Sequence, residues 1–272
     1  MRPPRRDIAA PPFAEAAEWV GGPAPRLERL VSRGPLLVHF FDLAQLNSVR
    51  ALPYVRAWHE RYAEKGLSVL GVHSPRFPFT RDAGAVEAAL PRLGISWPVA
   101  VDSRHAIWRD YGVKGWPSLF LWGRGGALRW YHLGEGSYRE TELVIREELT
   151  GQREGGWPDP VEPLRPSDAP GAGVIPPSAE IHPGGSLEEP WRPEGDPIEF
   201  EYLGAGAYAA AEGEGELRPE IDGVQLDPVA VSGPGLYELA AHAASERHRV
   251  ELAGGGDLAV FSIQFAPGVP SP

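Results

Sequence analysis

The chain has 272 residues, 42% of them hydrophobic and 23% charged, enough apolar material for two domains with cores of their own. Its net charge of −11 excludes the basic footprint that nucleic acid requires and disfavours anionic membrane surfaces. The absence of cysteine excludes a disulfide framework, a thiolate nucleophile, a zinc–thiolate site and an iron–sulfur cluster.

Residues 1–35 read as a lead-in. Its start is positive, but Ile8-Ala9-Ala10 is too short for the apolar core of a signal segment. No stretch approaches the roughly 18 apolar residues of a membrane span. The expectation is a cytoplasmic protein with no membrane span.

Residues 36–150 alternate strand and helix patterns, which predicts an α/β layer fold. Leu36 to Phe41 is an apolar run after Gly34-Pro35 and reads as a buried central strand. Val49, Leu52, Val55, Trp58 and Tyr62 recur at helical spacing before a stop at Gly66. A buried strand follows from Leu67 to Val72, then a helix from Ala83 to Leu93 and a short strand from Val99 to Val101. A short helix spans His105 to Tyr111. Two strands, Ser118 to Trp122 and Leu128 to Leu133, join at Gly125-Gly126 as a hairpin. A helix from Tyr138 to Leu149 closes the unit.

From 151 to 197 proline recurs every few residues, which predicts an extended linker of polyproline character. Trp157, Ile175, Ile181 and Trp191 are the apolar residues able to pin it to a neighbouring surface. From 198 to 268 short alternating runs are separated by glycine-rich breaks, which predicts an all-β sandwich of jelly-roll type.

The order of residues in 36–150 carries a family resemblance. His39-Phe40-Phe41, Asn47, Arg50, Leu52-Pro53-Tyr54, Trp58, Tyr62, Gly66-Leu67, Gly71-Val72-His73-Ser74-Pro75, Trp116-Pro117 and Leu133-Gly134-Glu135-Gly136 together resemble the thioredoxin-like redoxins of the TlpA/DipZ group. The resemblance covers residues 13–150 well and 198–265 loosely. It implies a thioredoxin fold followed by a β-sandwich similar to a carbohydrate-binding module. It also implies thiol–disulfide chemistry at a Cys-x-x-Cys turn, and here the sequence departs from the family. The two cysteine positions fall on Gln45 and Ser48, and neither an amide nor a hydroxyl performs disulfide exchange. The family's buried acid, six residues before the first cysteine, falls on His39. The proline that is cis in the family falls on Pro117, and the helix proline is Pro53. The relic positions are therefore Gln45, Ser48 and His39, with no catalytic residue among them.

Simple readings of these residues come first. His39 is expected as a hydrogen-bonded core histidine, and Gln45 and Ser48 as a solvated helix start with Ser48 as a cap. Serine hydrolysis would need His73 or His132 as a base, and no spacing singles either out. The eight histidines show no metal-ligand spacing, and no cofactor is implied. Asp222-Gly223 and Asp257 read as turn residues rather than a calcium site. Two binding functions remain. An extended peptide or partner protein is expected in the groove beside Pro117, with Trp116, Trp97, Phe77 and Phe79 supplying apolar contacts. The alternative is a carbohydrate-like ligand on Tyr202, Tyr208 or Tyr237 of the second domain. A thiol–disulfide oxidoreductase remains as a family label only.

Overall fold

The computed structural model describes residues 1–3, 7–13, 17–150 and 157–271. They divide into two compact units. The first comprises Met1–Leu43, Asn47–Pro75 and Arg81–Glu162, and the second Ala44–Leu46, Arg76–Thr80 and Pro163–Pro272.

In the first unit the alternating pattern becomes β1 (Glu18–Val20), α1 (Leu27–Arg33), β2 (Leu36–Phe41), α2 (Leu46–Tyr62, its first residue lying in the second unit) and β3 (Ser68–His73). There follow α3 (Ala83–Leu93), β4 (Val99–Val101), α4 (Ala106–Asp110), β5 (Ser118–Trp122), β6 (Leu128–Leu133) and α5 (Tyr138–Thr150). The six strands form one sheet in the order β1-β4-β3-β2-β5-β6. β2, β3 and β4 run parallel, and β5 pairs antiparallel with β2. All six residues of β2 are fully buried, as its unbroken apolar run requires of a central strand. Pro53 lies inside α2, and the helix continues through it to Tyr62.

The lead-in belongs to this unit more fully than its sequence indicated. β1 pairs with β4 at the far edge of the sheet. Around Ile8 to Ala10 the chain bonds the β5–β6 hairpin, with Ala10 N–H on Gly126 O at 3.1 Å and Leu128 N–H on Ile8 O at 2.9 Å. Phe13 stacks on Tyr111 and meets Trp19 edge-on. Sheet edges present unpaired backbone groups, and these segments cover them.

A buried carboxylate ties α2 to α5. Glu142 accepts Trp58 Nε1–H at 3.2 Å, Tyr62 O–H at 2.6 Å and Val161 N–H at 2.7 Å. Arg61 Nη1 lies 3.6 Å from it. Burial and then Glu142 itself push the Tyr62 phenol well above its usual range, so it donates rather than ionises.

The strands of the second unit are all antiparallel: β7 (Ile198–Ile221), β8 (Val224–Gln225), β9 (Val229–Ser232) and β10 (Gly235–Phe265). Two long, bent strands stand where separate short ones were expected. They pair with each other twice. Ala211 of β7 faces both Gly235 and Val260 of β10, and Glu251 of β10 faces both Glu199 and Glu220 of β7. Glycines read as breaks are close crossings instead. A Cβ on Gly213 would lie 1.9 Å from the Asp257 carbonyl oxygen, and one on Gly215 2.2 Å from that of Gly255.

The proline-rich stretch is the other difference. Residues 151–156 lie outside the described residues, and Val161 and Glu162 stay with the first unit. From 163 onward the stretch belongs to the second unit as a strap along β10. Ile175 bridges to Gly268, Ile181 to Ile263 and Trp191 to Val260. Proline supplies no N–H, so contact is made at isolated non-proline positions rather than as a ladder. Among the described residues no helix is long and apolar enough to cross a membrane.

Glu142→Leu is expected to strand three buried donors and to lower unfolding stability by about 3 kcal/mol in urea denaturation. Glu142→Gln, which keeps one acceptor oxygen, should recover part of that loss. Equal stability of wild type and Glu142→Leu would show that α2 and α5 pack without this carboxylate.

Candidate functional site

The parallel strands β2, β3 and β4 end on one edge of the first unit, the side where open α/β sheets commonly bind ligands. Asp42, Ser48 and His73 gather there, all fully buried. Asp42 N–H donates to Ser48 Oγ at 3.2 Å. Leu43 N–H donates to His73 Nε2 at 3.3 Å, so Nε2 is the acceptor nitrogen and the neutral ring carries its proton on Nδ1. Asp42 Oδ2 stands 3.8 Å from His73 Nε2, and burial outweighs this neighbour in lowering the His73 pKa. Ser48 is thus neither solvated nor a cap of its own helix. Its oxygen reaches back to the end of β2 because the first turn of α2 faces inward there. It offers no exposed hydroxyl to a substrate.

His39 is a core histidine, but not a hydrogen-bonded one. It is fully buried, and neither ring nitrogen has a hydrogen-bond partner among the described residues. It stacks on Phe41 with ring centroids 5.3 Å apart. Desolvation lowers its pKa to about 3, which keeps the ring neutral.

The neighbouring loops order the rest of this edge. Asp102 accepts Ile107 N–H at 3.1 Å, Trp108 N–H at 2.8 Å and Ser74 O–H at 3.2 Å, which anchors α4 to the end of β3. The Trp116–Pro117 peptide is cis. Trp116 Nε1–H donates to Ser74 O at 2.8 Å. Its ring packs on Trp108 at 4.5 Å, with His105 6.2 Å away. These three rings are half-buried. Pro117 is itself buried, and its carbonyl accepts Gly134 N–H at 2.7 Å. Arg50 pairs with Glu135 at 2.7 Å, and Tyr138 O–H reaches the same carboxylate oxygen at 3.1 Å.

Three residues expected at a groove are core instead. Trp97 is 2% exposed in the first unit, and Phe77 and Phe79 are 0% and 8% exposed in the second, so none of them is free to touch a ligand. Large aromatic rings are buried where a core has room for them, and sequence position carried no sign of that. Gln45 lies in the second unit, half-buried. The backbone on either side of it is held there by Gln264, whose Oε1 accepts Leu46 N–H at 2.7 Å and whose Nε2–H donates to Ala44 O at 2.8 Å. Elsewhere in that unit Tyr202 and Tyr237 are buried and Tyr208 is half-buried. Asp222 occupies the β7–β8 hairpin tip at φ 54°. Among the described residues no group of three or more His, Asp or Glu side chains is placed to hold a metal ion.

The sequence can be set beside known proteins. Protein DipZ of Mycobacterium bovis is 34% identical over 170 residues, which are 61% of this chain and 24% of that protein. Thiol-disulfide oxidoreductase YkuV of Bacillus subtilis is 27% identical over 131 residues, 48% of this chain and 87% of that one. Over its first unit the chain is similar in sequence to thioredoxin-like redoxins. No family model matches it. A solution structure of a thioredoxin-like protein in the oxidized form is 26% identical, covers 56% of this chain and 98% of its own, and gives a TM-score of 0.46. The chain spans about a quarter of the DipZ length it matches. It departs from an oxidoreductase at the reacting atoms, since no cysteine is present.

The buried trio around His73 and the clamp by Gln264 escaped the sequence reading. His73 sits 31 residues beyond Asp42, and Gln264 lies 219 beyond Gln45. No local pattern links positions so far apart.

His39→Phe should remove an unsatisfied buried N–H and raise stability by about 1–3 kcal/mol at pH 7. The gain should grow on acidification. The folded pKa of about 3 lies below the ordinary histidine value of about 6.5, so the unfolded chain binds the extra proton between them. Wild-type stability therefore falls as pH drops through that window, and His39→Phe should fall less. Parallel pH profiles in denaturant melts would contradict this.

Proposed function

We propose that this chain is a redox-inactive thioredoxin-like module that binds an extended segment of a partner protein beside Trp116 and Pro117. The half-buried group of Trp116, Trp108 and His105 carries the reading. It offers flat apolar surface beside the Trp116–Pro117 peptide, and capture of an extended chain by apolar and backbone contacts there needs no sulfur. The replacement of the dithiol by Gln45 and Ser48 supports loss of exchange chemistry, because no other thiol exists in the chain. Burial of Tyr202 and Tyr237 counts against stacking of sugar rings in the second unit.

The purified protein should show no turnover in an insulin-reduction assay. On arrays of extended synthetic peptides, Trp116→Ala should weaken whatever binding the wild type displays by about tenfold or more, with the fold preserved by circular dichroism. Dithiol-dependent turnover without contaminants would overturn the first half. Full binding by Trp116→Ala would overturn the second.

The relic turn gives a separate test. Gln45→Cys combined with Ser48→Cys places two sulfurs three residues apart at the start of α2, within the usual reach of a disulfide. The double variant should fold and oxidise under mild conditions, as read by thiol titration. A folded variant that retains two free thiols would mean that the turn differs from that of a working redoxin.

A further inference from the structure

The second unit holds a chain of four polar side chains that the proposed function does not use. Tyr202, 1% exposed, shares a hydrogen bond of 2.6 Å between its hydroxyl and His242 Nε2. The His242 ring lies face to face with His248, centroids 3.8 Å apart and planes 15° from parallel. His248 Nδ1 bonds Asp222 Oδ2 at 2.8 Å, while its Nε2 is buried with no partner among the described residues. Asp222 Oδ1 accepts Arg249 N–H at 2.8 Å. The chain runs from the core at Tyr202 to the hairpin tip at Asp222.

The stack sits where the β7–β10 ladder breaks. Pairing skips from Ala241 opposite Gly206 to Glu246 opposite Gly204, so residues 242–245 leave the ladder. That excursion holds the segment 266–271. Ser245 N–H donates to Val269 O at 2.7 Å, and Ser271 bonds Glu246. Ile175 N–H of the strap reaches Gly268 O at 2.8 Å.

We propose that Tyr202, His242, His248 and Asp222 form an acid-sensitive latch. With the rings neutral, the stack holds the 242–245 excursion and the 266–271 segment in place, and a proton on each ring drives them apart. Two flat neutral imidazoles attract at this separation, whereas two imidazolium rings repel through a poorly hydrated gap. The charged and titratable groups around the pair are few. On and beyond β7 they are Tyr202 and Asp222, and on β10 they are Glu246, His248 and Arg249. Among the described residues of 266–271, the Ser271 hydroxyl bonds Glu246. Asp222 is held below the usual carboxylate range by the Arg249 N–H and then by His248, so it stays ionised through mildly acidic pH. The two carboxylates near the pair, Asp222 and Glu246, favour a charged His242, but less than burial and His248 oppose it. Burial, and then His248, lower the His242 pKa below its ordinary value. The open state therefore binds the extra proton more readily, and the latch holds above the ordinary imidazole pKa and weakens as pH falls below it.

The test is amide hydrogen exchange of the full chain at pH 7 and pH 5, corrected for intrinsic rates and read at Ser245. His39→Phe serves as the background, to separate this latch from acid sensitivity of the first unit. Protection of the Ser245 amide should drop by about tenfold or more at pH 5, the equivalent of one pKa unit of linkage. His242→Gln, which keeps an acceptor for Tyr202 but takes no proton, should abolish the difference between the two pH values. Should that variant fold poorly, ring-proton NMR titration of the wild type decides the matter. Coupled titration of His242 and His248, moving together with the Ser245 signal, supports the latch. Independent titrations at ordinary histidine values, or Ser245 protection equal at both pH values, overturn it.

Discussion

Strand β2 gives up contact with water along its whole length, and the chemistry at its end follows from that. Its backbone bonds are taken by β3 on one side and β5 on the other, and its side chains are buried on both faces. A polar group brought to such a strand must find its partner inside the protein or go without one. At the C-terminal end the partners exist: Ser48 receives the Asp42 N–H and His73 the Leu43 N–H. At His39, in the middle, they do not, and the ring is held neutral by desolvation alone.

This arrangement shows how a scaffold similar to that of redoxins is filled without sulfur. A serine hydroxyl is about the size of a thiol and a better acceptor for a backbone N–H, so position 48 stays filled and bonded. A carboxylate at position 39 would face the same apolar surroundings with a full charge, at far greater desolvation cost than a neutral imidazole. The residues at 39 and 48 suit a dry, closed strand.

The second unit obeys a different constraint. Two strands of 24 and 31 residues cross closely enough that glycines must sit where their backbones approach. The strap that follows the first unit is rich in proline and meets the sheet at separate points, among them Ser178, Ile181 and Trp191. A continuous edge strand would expose a pairing surface, while point contacts cover the edge of β10 and offer little template for another chain. Two of the four apolar residues that stood out in that stretch are among these contacts.

Local pattern determined much of this protein. The α/β alternation, the buried run of β2, the proline-bearing helix and the all-β character of the remainder were legible because each rests on periodicity or on a residue with a fixed backbone preference, whereas the cis-proline position came from the family resemblance. The absence of thiol chemistry is a matter of composition and needs no structure. What only the tertiary structure decided depends on contacts between residues far apart in sequence. The service of Glu142 to Trp58, Tyr62 and Val161 is of this kind, as are the orphaned ring of His39, the burial of Trp97 and Phe77, and the stack of His242 on His248. Hydrophobic burial and hydrogen-bond satisfaction are settled by which side chains meet in space, and a period read along the chain records only which way each one faces.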